Sequence, residues 1–309
     1  MTSAVSRLVT VMYHYVRDAK HTQFPDIKAV SVADFRRQVA EVKRSFETPP
    51  LEACIEFLEG RWTPNRDICI LTFDDGLREH YDTVAHILAE ANVPGAFFLP
   101  TAAIEDHEVL AVHMNHFLLA SLGAAELTKH IDKAAHETGI ALPTAPPDFD
   151  AVRKVYRWDD AETARLKYLV NHRLAPDISE ALLRLVFAEV LGPPEQFAHS
   201  LYVDWTKAAA MQAAGFAVGG HTHRHKALSA LDEEQQRRDL ERSTTVLSAR
   251  LGAGQRAFAY PYGKPSTYTQ NTVGHLKRLG YFCAFNTTVD HGLPGTSRWE
   301  IPRIDPKDL

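Results

Sequence analysis

Three short stretches of this chain carry residue types that can do acid–base or metal chemistry. Thr72-Phe73-Asp74-Asp75-Gly76 sets two carboxylates side by side. Adjacent carboxylates repel, and a nearby cation relieves that cost and keeps both ionised. Neighbouring side chains also point in different directions, so one can bind a metal while the other faces a substrate. Taken alone, the pair fits a plain Asp-Asp-Gly turn better than a reactive site. His221-Thr222-His223-Arg224-His225 packs three histidines into five residues, and imidazole suits zinc, iron, cobalt and nickel. His221 and His225 can converge on one ion, and with one aspartate they leave positions open for water and a substrate oxygen. Asp74 can then serve as general base on that water. In Ala259-Tyr260-Pro261-Tyr262-Gly263, proline and glycine shape a tight turn. It is either structural or a source of a backbone N–H aimed at an oxyanion.

These stretches need strands to carry them. Leu8 to Val16 reads as a buried strand, and Ile68 to Phe73 is a continuous apolar run suited to a sheet covered on both faces. Gly95 to Leu99, Phe216 to Gly220, Ala257 to Tyr260 and Phe282 to Phe285 read as further strands. Between them lie helical patterns: Val32 to Lys43 behind an N-cap Ser31, residues 51 to 59, Tyr81 to Ala91, Asp204 to Ala214, a long helix from a Ser229 cap to Gly252, and Asn271 to Leu279. Residues 17 to 27 read as a polar loop. The alternation predicts an α/β fold with the reactive stretches at the carboxyl ends of its strands, where parallel folds build active sites. From about 104 to 200 the rhythm breaks into helices over Met114–Leu122, Ala161–Arg173 and Ser179–Leu191, punctuated by Pro143, Pro146 and Pro147. This stretch reads as a helical insertion flanking the mouth of the site, within a single domain spanning residues 1–309.

Composition narrows the function. The chain has 309 residues, a formal net charge of -5, 45% hydrophobic and 24% charged residues. A mildly acidic chain has no overall electrostatic footprint for nucleic acid or an anionic membrane. Cys54, Cys69 and Cys283 are scattered and odd in number, which suits buried thiols and not a disulfide framework or a cysteine zinc site. No apolar run reaches the length of a membrane span. The short apolar run Leu8–Tyr13 ends at His14 and does not read as a signal peptide, so a cytoplasmic protein is expected. Oligomeric state is not legible.

In their order, the three stretches resemble the polysaccharide deacetylase family, also called the NodB homology domain, with its T-F-D-D-G, H-[ST]-x-x-H and P-Y-G motifs. The resemblance spans roughly residues 8 to 305 apart from the helical stretch. It implies a distorted (β/α) barrel, often of seven strands, and metal-dependent removal of N-acetyl groups from an amino sugar or glycan. It also implies Asp74 as base, and Asp75, His221 and His225 as ligands of a divalent metal, zinc foremost, with iron, cobalt or nickel as alternatives. The Tyr262 N–H would hold the oxyanion.

Two features depart from the family pattern. Many members place an Arg two positions before the P-Y-G turn, where this chain has Ala259; Arg303 is the first substitute and Arg298 the second. Many also end in an L-x-H motif that supplies the general acid, and none is present here. Val11-Met12-Tyr13-His14 instead resembles a circularly permuted branch, similar to bacterial poly-N-acetylglucosamine deacetylases, with that strand first in sequence. His14 would then be the acid, with His291 in reserve. His223 is expected to hydrogen-bond within the metal loop. His113 and His116 read as helix packing before cleft lining, and Trp158 and Trp205 are candidates for stacking on a sugar. Two rival functions are a hydrolase of a small or cyclic amide or imide, and a non-catalytic carbohydrate-binding relative.

Overall fold

The computed structural model describes residues 6–143, 150, 152–153, 156 and 159–309. Six strands form one sheet: β1 (Leu8–Tyr13), β2 (Ile68–Phe73), β3 (Gly95–Leu99), β4 (Ala217–Gly220), β5 (Arg256–Ala259) and β6 (Tyr281–Phe285). They lie side by side in sequence order, and each neighbouring pair is parallel. β2 and β3 are buried along their whole length, as expected of parallel strands covered on both faces.

The sheet has six strands where about seven were expected, and a segment of isolated bridges stands in the remaining place. Ile301 bridges Phe285 of β6, and Ile304 bridges Val11 of β1, both in parallel. Ile301–Ile304 thus takes hydrogen bonds on both sides, from Asn286 N–H to Ile301 O and from Met12 N–H to Ile304 O. The two edge strands of the curled sheet therefore share this segment. Pro302 cannot donate to a ladder, which keeps the segment from becoming a regular strand.

Contacts divide the chain into two compact units. One comprises residues 1–18, 29–106 and 199–309, and contains the sheet; the other comprises 19–28 and 107–198. The helices Val32–Ser45, Leu51–Leu58, Trp205–Ala213 and Gln270–Arg278 of the first unit match the spacing read from the sequence. Ser31 caps the first of these through Asp34 N–H. Two details differ. The long helix runs Glu233–Leu251 and is capped by Asp232 with Gln235 in a capping box, whereas Ser229 lies in a separate short turn. The stretch before Ala91 begins as a π-turn over His80–Ala85.

In the second unit, Ala111–Thr138 breaks at Gly123 (φ 72°), and helices Ala161–Tyr168 and Pro176–Leu191 follow. Residues 19–28, read as a polar loop, supply Phe24 to an aromatic cluster with Phe117 and Phe197. They also supply Lys28 to Asp159, which pairs in addition with Lys167. No helix among the described residues is long and apolar enough to cross a membrane.

Candidate active site

Each reactive stretch starts where a strand ends. Asp74 and Asp75 follow β2, His221 follows β4, the Tyr260–Gly263 turn follows β5, and His14 follows β1. Because the strands are parallel, these ends share one rim. Of the six described non-glycine residues with positive φ, four lie here: Asp75 (77°), Thr222 (64°), His225 (55°) and Tyr262 (61°). Such conformations are costly and concentrate where surrounding structure imposes them at functional sites.

Close packing brings the rim together. A Cβ on Gly219 would lie 2.3 Å from Ala257 O, and one on Gly220 2.5 Å from the Tyr281 hydroxyl. Glycine is therefore needed for β4 to approach β5 and carry His221 inward.

Asp75, His221 and His225 are buried, and one ligand atom from each lies within 4.8 Å of the others. Asp75 Oδ1 stands 3.4 Å from His221 Nε2 and 3.2 Å from His225 Nε2. His221 Nδ1–H donates to Ala259 O at 2.7 Å, which turns the Nε2 lone pair of the neutral ring toward Asp75. A nitrogen lone pair facing a carboxylate oxygen calls for a cation or a proton between them. Burial alone would lower the His221 pKa, but Asp74, Asp75 and the Ala259 carbonyl outweigh it and raise it. Two imidazoles and a carboxylate, oriented this way, fit a divalent metal.

Asp74 turns away from that cluster and meets Arg303. Nη1 and Nη2 donate to Oδ1 and Oδ2, each at 2.8 Å, and both side chains are buried. Arg303 Nε donates to Asn286 O at 2.9 Å, and Nη1 reaches the Thr72 hydroxyl at 3.3 Å. Burial works to raise the Asp74 pKa, but the Arg303 guanidinium, with His221 and His14, holds it below the ordinary carboxylate value. Arg298 lies elsewhere, paired with Glu59 at a partly exposed position.

His14 is half-buried and follows Tyr13, which pairs in register with Phe73, the residue before Asp74. Its carbonyl accepts a hydrogen bond from His80 Nε2 at 2.9 Å. Arg17, further along the same exit loop, grips Glu79 through two bonds of 2.7 Å. Glu79 and His80 together anchor the β1 exit to the residues that follow Asp75. His291 is placed at the other end: its neighbour Gly292 bridges Leu8, the first residue of β1.

Tyr262 is half-exposed, with its ring 5.2 Å from that of His225. Thr287 fastens its turn by donating its N–H to Gly263 O and its hydroxyl to Tyr262 O. His223 turns out of the metal cluster, with Nδ1 2.9 Å from the Thr101 hydroxyl and Nε2 3.2 Å from Asp106. His113 is buried within helix Ala111–Thr138 of the second unit, beside half-buried His116. Trp205 Nε1–H is bonded to Glu105, and Trp158 lies outside the described residues. Sequence reasoning missed His80, Thr287 and Asp239, whose carboxylate accepts the N–H groups of His223 and Arg224. None of these carries a local sequence signal.

Fold and site together define an α/β-barrel hydrolase with a site fit for a metal. The chain belongs to the polysaccharide deacetylase family, whose model matches residues 62–140 and 190–284. Among solved structures, it is similar to the Streptococcus pyogenes deacetylase PplD in complex with acetate. The TM-score is 0.60 at 15% identity, over 99% of this chain and 97% of that one. It is also similar to IcaB from Ammonifex degensii, with TM-score 0.59 and 18% identity over 97% and 91% of the two chains. For the BpsB deacetylase domain from Bordetella bronchiseptica the values are 0.58 and 14%, over 97% and 95%. These likenesses concern the fold. No curated protein sequence matches the chain.

Proposed function

We propose that this site hydrolyses the acetamide of an N-acetylated amino sugar within a glycan, giving the free amine and acetate. The observation that carries the reading is the pairing of two neighbouring aspartates with different partners. Asp75 faces two imidazole nitrogens, while Asp74 is clamped by one guanidinium. That division suits a metal ligand beside a base.

Asp75, His221 and His225 would hold the ion, and Zn2+ is the proposed metal. When bound, such an ion acts as a Lewis acid that acidifies water and polarises the amide carbonyl. Asp74, kept ionised by Arg303, takes the proton of the attacking water. The Tyr262 N–H is assigned to the developing oxyanion. As the carbon–nitrogen bond breaks, His14 gives a proton to the departing nitrogen, so the amine leaves neutral. Asp74 and His14 thus work at opposite stages from two neighbouring strand ends.

The test is acetate release by the Zn2+-loaded protein from N-acetylglucosamine oligomers, beside a panel of small cyclic imides. Release from the oligomers with no imide turnover supports the proposal. Turnover of imides alone sinks it, and sugar binding without acetate release supports a non-catalytic relative.

A further inference from the structure

We propose that Asp239 is a positioning residue of the metal centre, fixing the backbone of the loop that joins its two histidines. This rests on the reading of His221, His225 and Asp75 as metal ligands. Asp239 projects from helix Glu233–Leu251, and its two carboxylate oxygens take two consecutive backbone donors. His223 N–H donates to Oδ1 at 2.8 Å and Arg224 N–H to Oδ2 at 3.1 Å. These residues lie between the ligands, so the carboxylate grips the loop midway.

The loop needs such a grip. It belongs to no strand or helix, and two of its residues, Thr222 and His225, sit in the left-handed region that side chains rarely adopt. Its carbonyls are tied on one side, Thr222 O to Thr101 N–H and His223 O to Ala102 N–H. Thr222 Oγ1 accepts His225 N–H at 2.8 Å. The His223 ring is held between Thr101 and Asp106, out of the metal cluster. Asp239 completes the set by taking the two central N–H groups. Without it, the part-buried His223 N–H and the exposed Arg224 N–H lose their shared acceptor; water can reach the second, but the first is satisfied again only if the loop moves. Any such movement changes the spacing of the His221 and His225 rings, now 4.7 Å apart.

Asparagine is the discriminating replacement, because it preserves shape but offers one acceptor oxygen and turns an N–H against an N–H. The experiment uses metal-free full-length protein, with Zn2+ affinity read by competition against a chromogenic chelator and melting temperature read in parallel. Asp239→Asn is compared with wild type and with Leu240→Val, a fully buried neighbour on the same helix that belongs to an apolar cluster with Phe258, Val273 and Leu276. Asp239→Asn is expected to weaken Zn2+ binding about 10- to 100-fold, while Leu240→Val lowers the melting temperature and leaves affinity unchanged. If Asp239→Asn lowers only the melting temperature, the residue is structural and the proposal is overturned. If wild type itself takes up no Zn2+, the metal-centre reading falls, and this proposal with it.

Discussion

Arg303 holds Asp74 by both carboxylate oxygens, each at 2.8 Å, although 229 residues separate them in sequence. The guanidinium is itself fixed, by the Asn286 carbonyl and by the hydroxyl of Thr72. Planar bidentate pairing gives direction as well as charge, and a lysine would supply only the charge.

Arg303→Met should strand a buried carboxylate. Breaking a buried pair typically costs about 3–5 kcal/mol, so urea unfolding of the metal-free variant at neutral pH should show a loss of that order. The Asp74 pKa should also rise, moving the acid limb of kcat/KM to higher pH. The same pair makes wild-type stability depend on pH. Because the folded pKa of Asp74 is depressed, its contribution is fully present above the ordinary carboxylate value and is lost as pH falls through the depressed one.

Asp74→Asn should keep the metal and lose the reaction. The three ligand atoms belong to other residues, so Zn2+ content should match wild type. Removing a general base should lower kcat about 10²- to 10⁴-fold in an acetate-release assay. Loss of the metal together with activity would show that Asp74 has a ligand role.

His14→Gln separates the acid from the base. An amine cannot leave without a proton, whereas p-nitrophenolate can. The variant should therefore lose about 10²-fold or more on an N-acetyl sugar and far less on p-nitrophenyl acetate. Equal losses on both substrates would place His14 in another role.

Gly219→Ala tests the close approach of β4 to β5. The added Cβ meets a backbone oxygen, which cannot swing away as a side chain would. Overpacking of this kind costs about 1–3 kcal/mol, readable as a lower melting temperature. Zn2+ affinity should fall too, since His221 directly follows this strand.

The sequence by itself determined the strands, most helix limits and the identity of the reactive stretches. These are local: β2 is a continuous apolar run, and Asp74-Asp75 and His221 to His225 stand at its end and that of β4. Sequence could name Arg303 as a substitute only through its likeness to a family in which an arginine serves the base. Its choice over Arg298 awaited the fold, because both lie in the same stretch after β6 and only the Ile301–Ile304 segment carries one of them back between β6 and β1. His14 and His291 were separated in the same way, by which end of β1 each one reaches. The contacts that pin the site, from His80, Thr287 and Asp239, were decided only by the tertiary structure. Each of them grips a backbone group of a loop distant in sequence, and no spacing along the chain encodes such a partner.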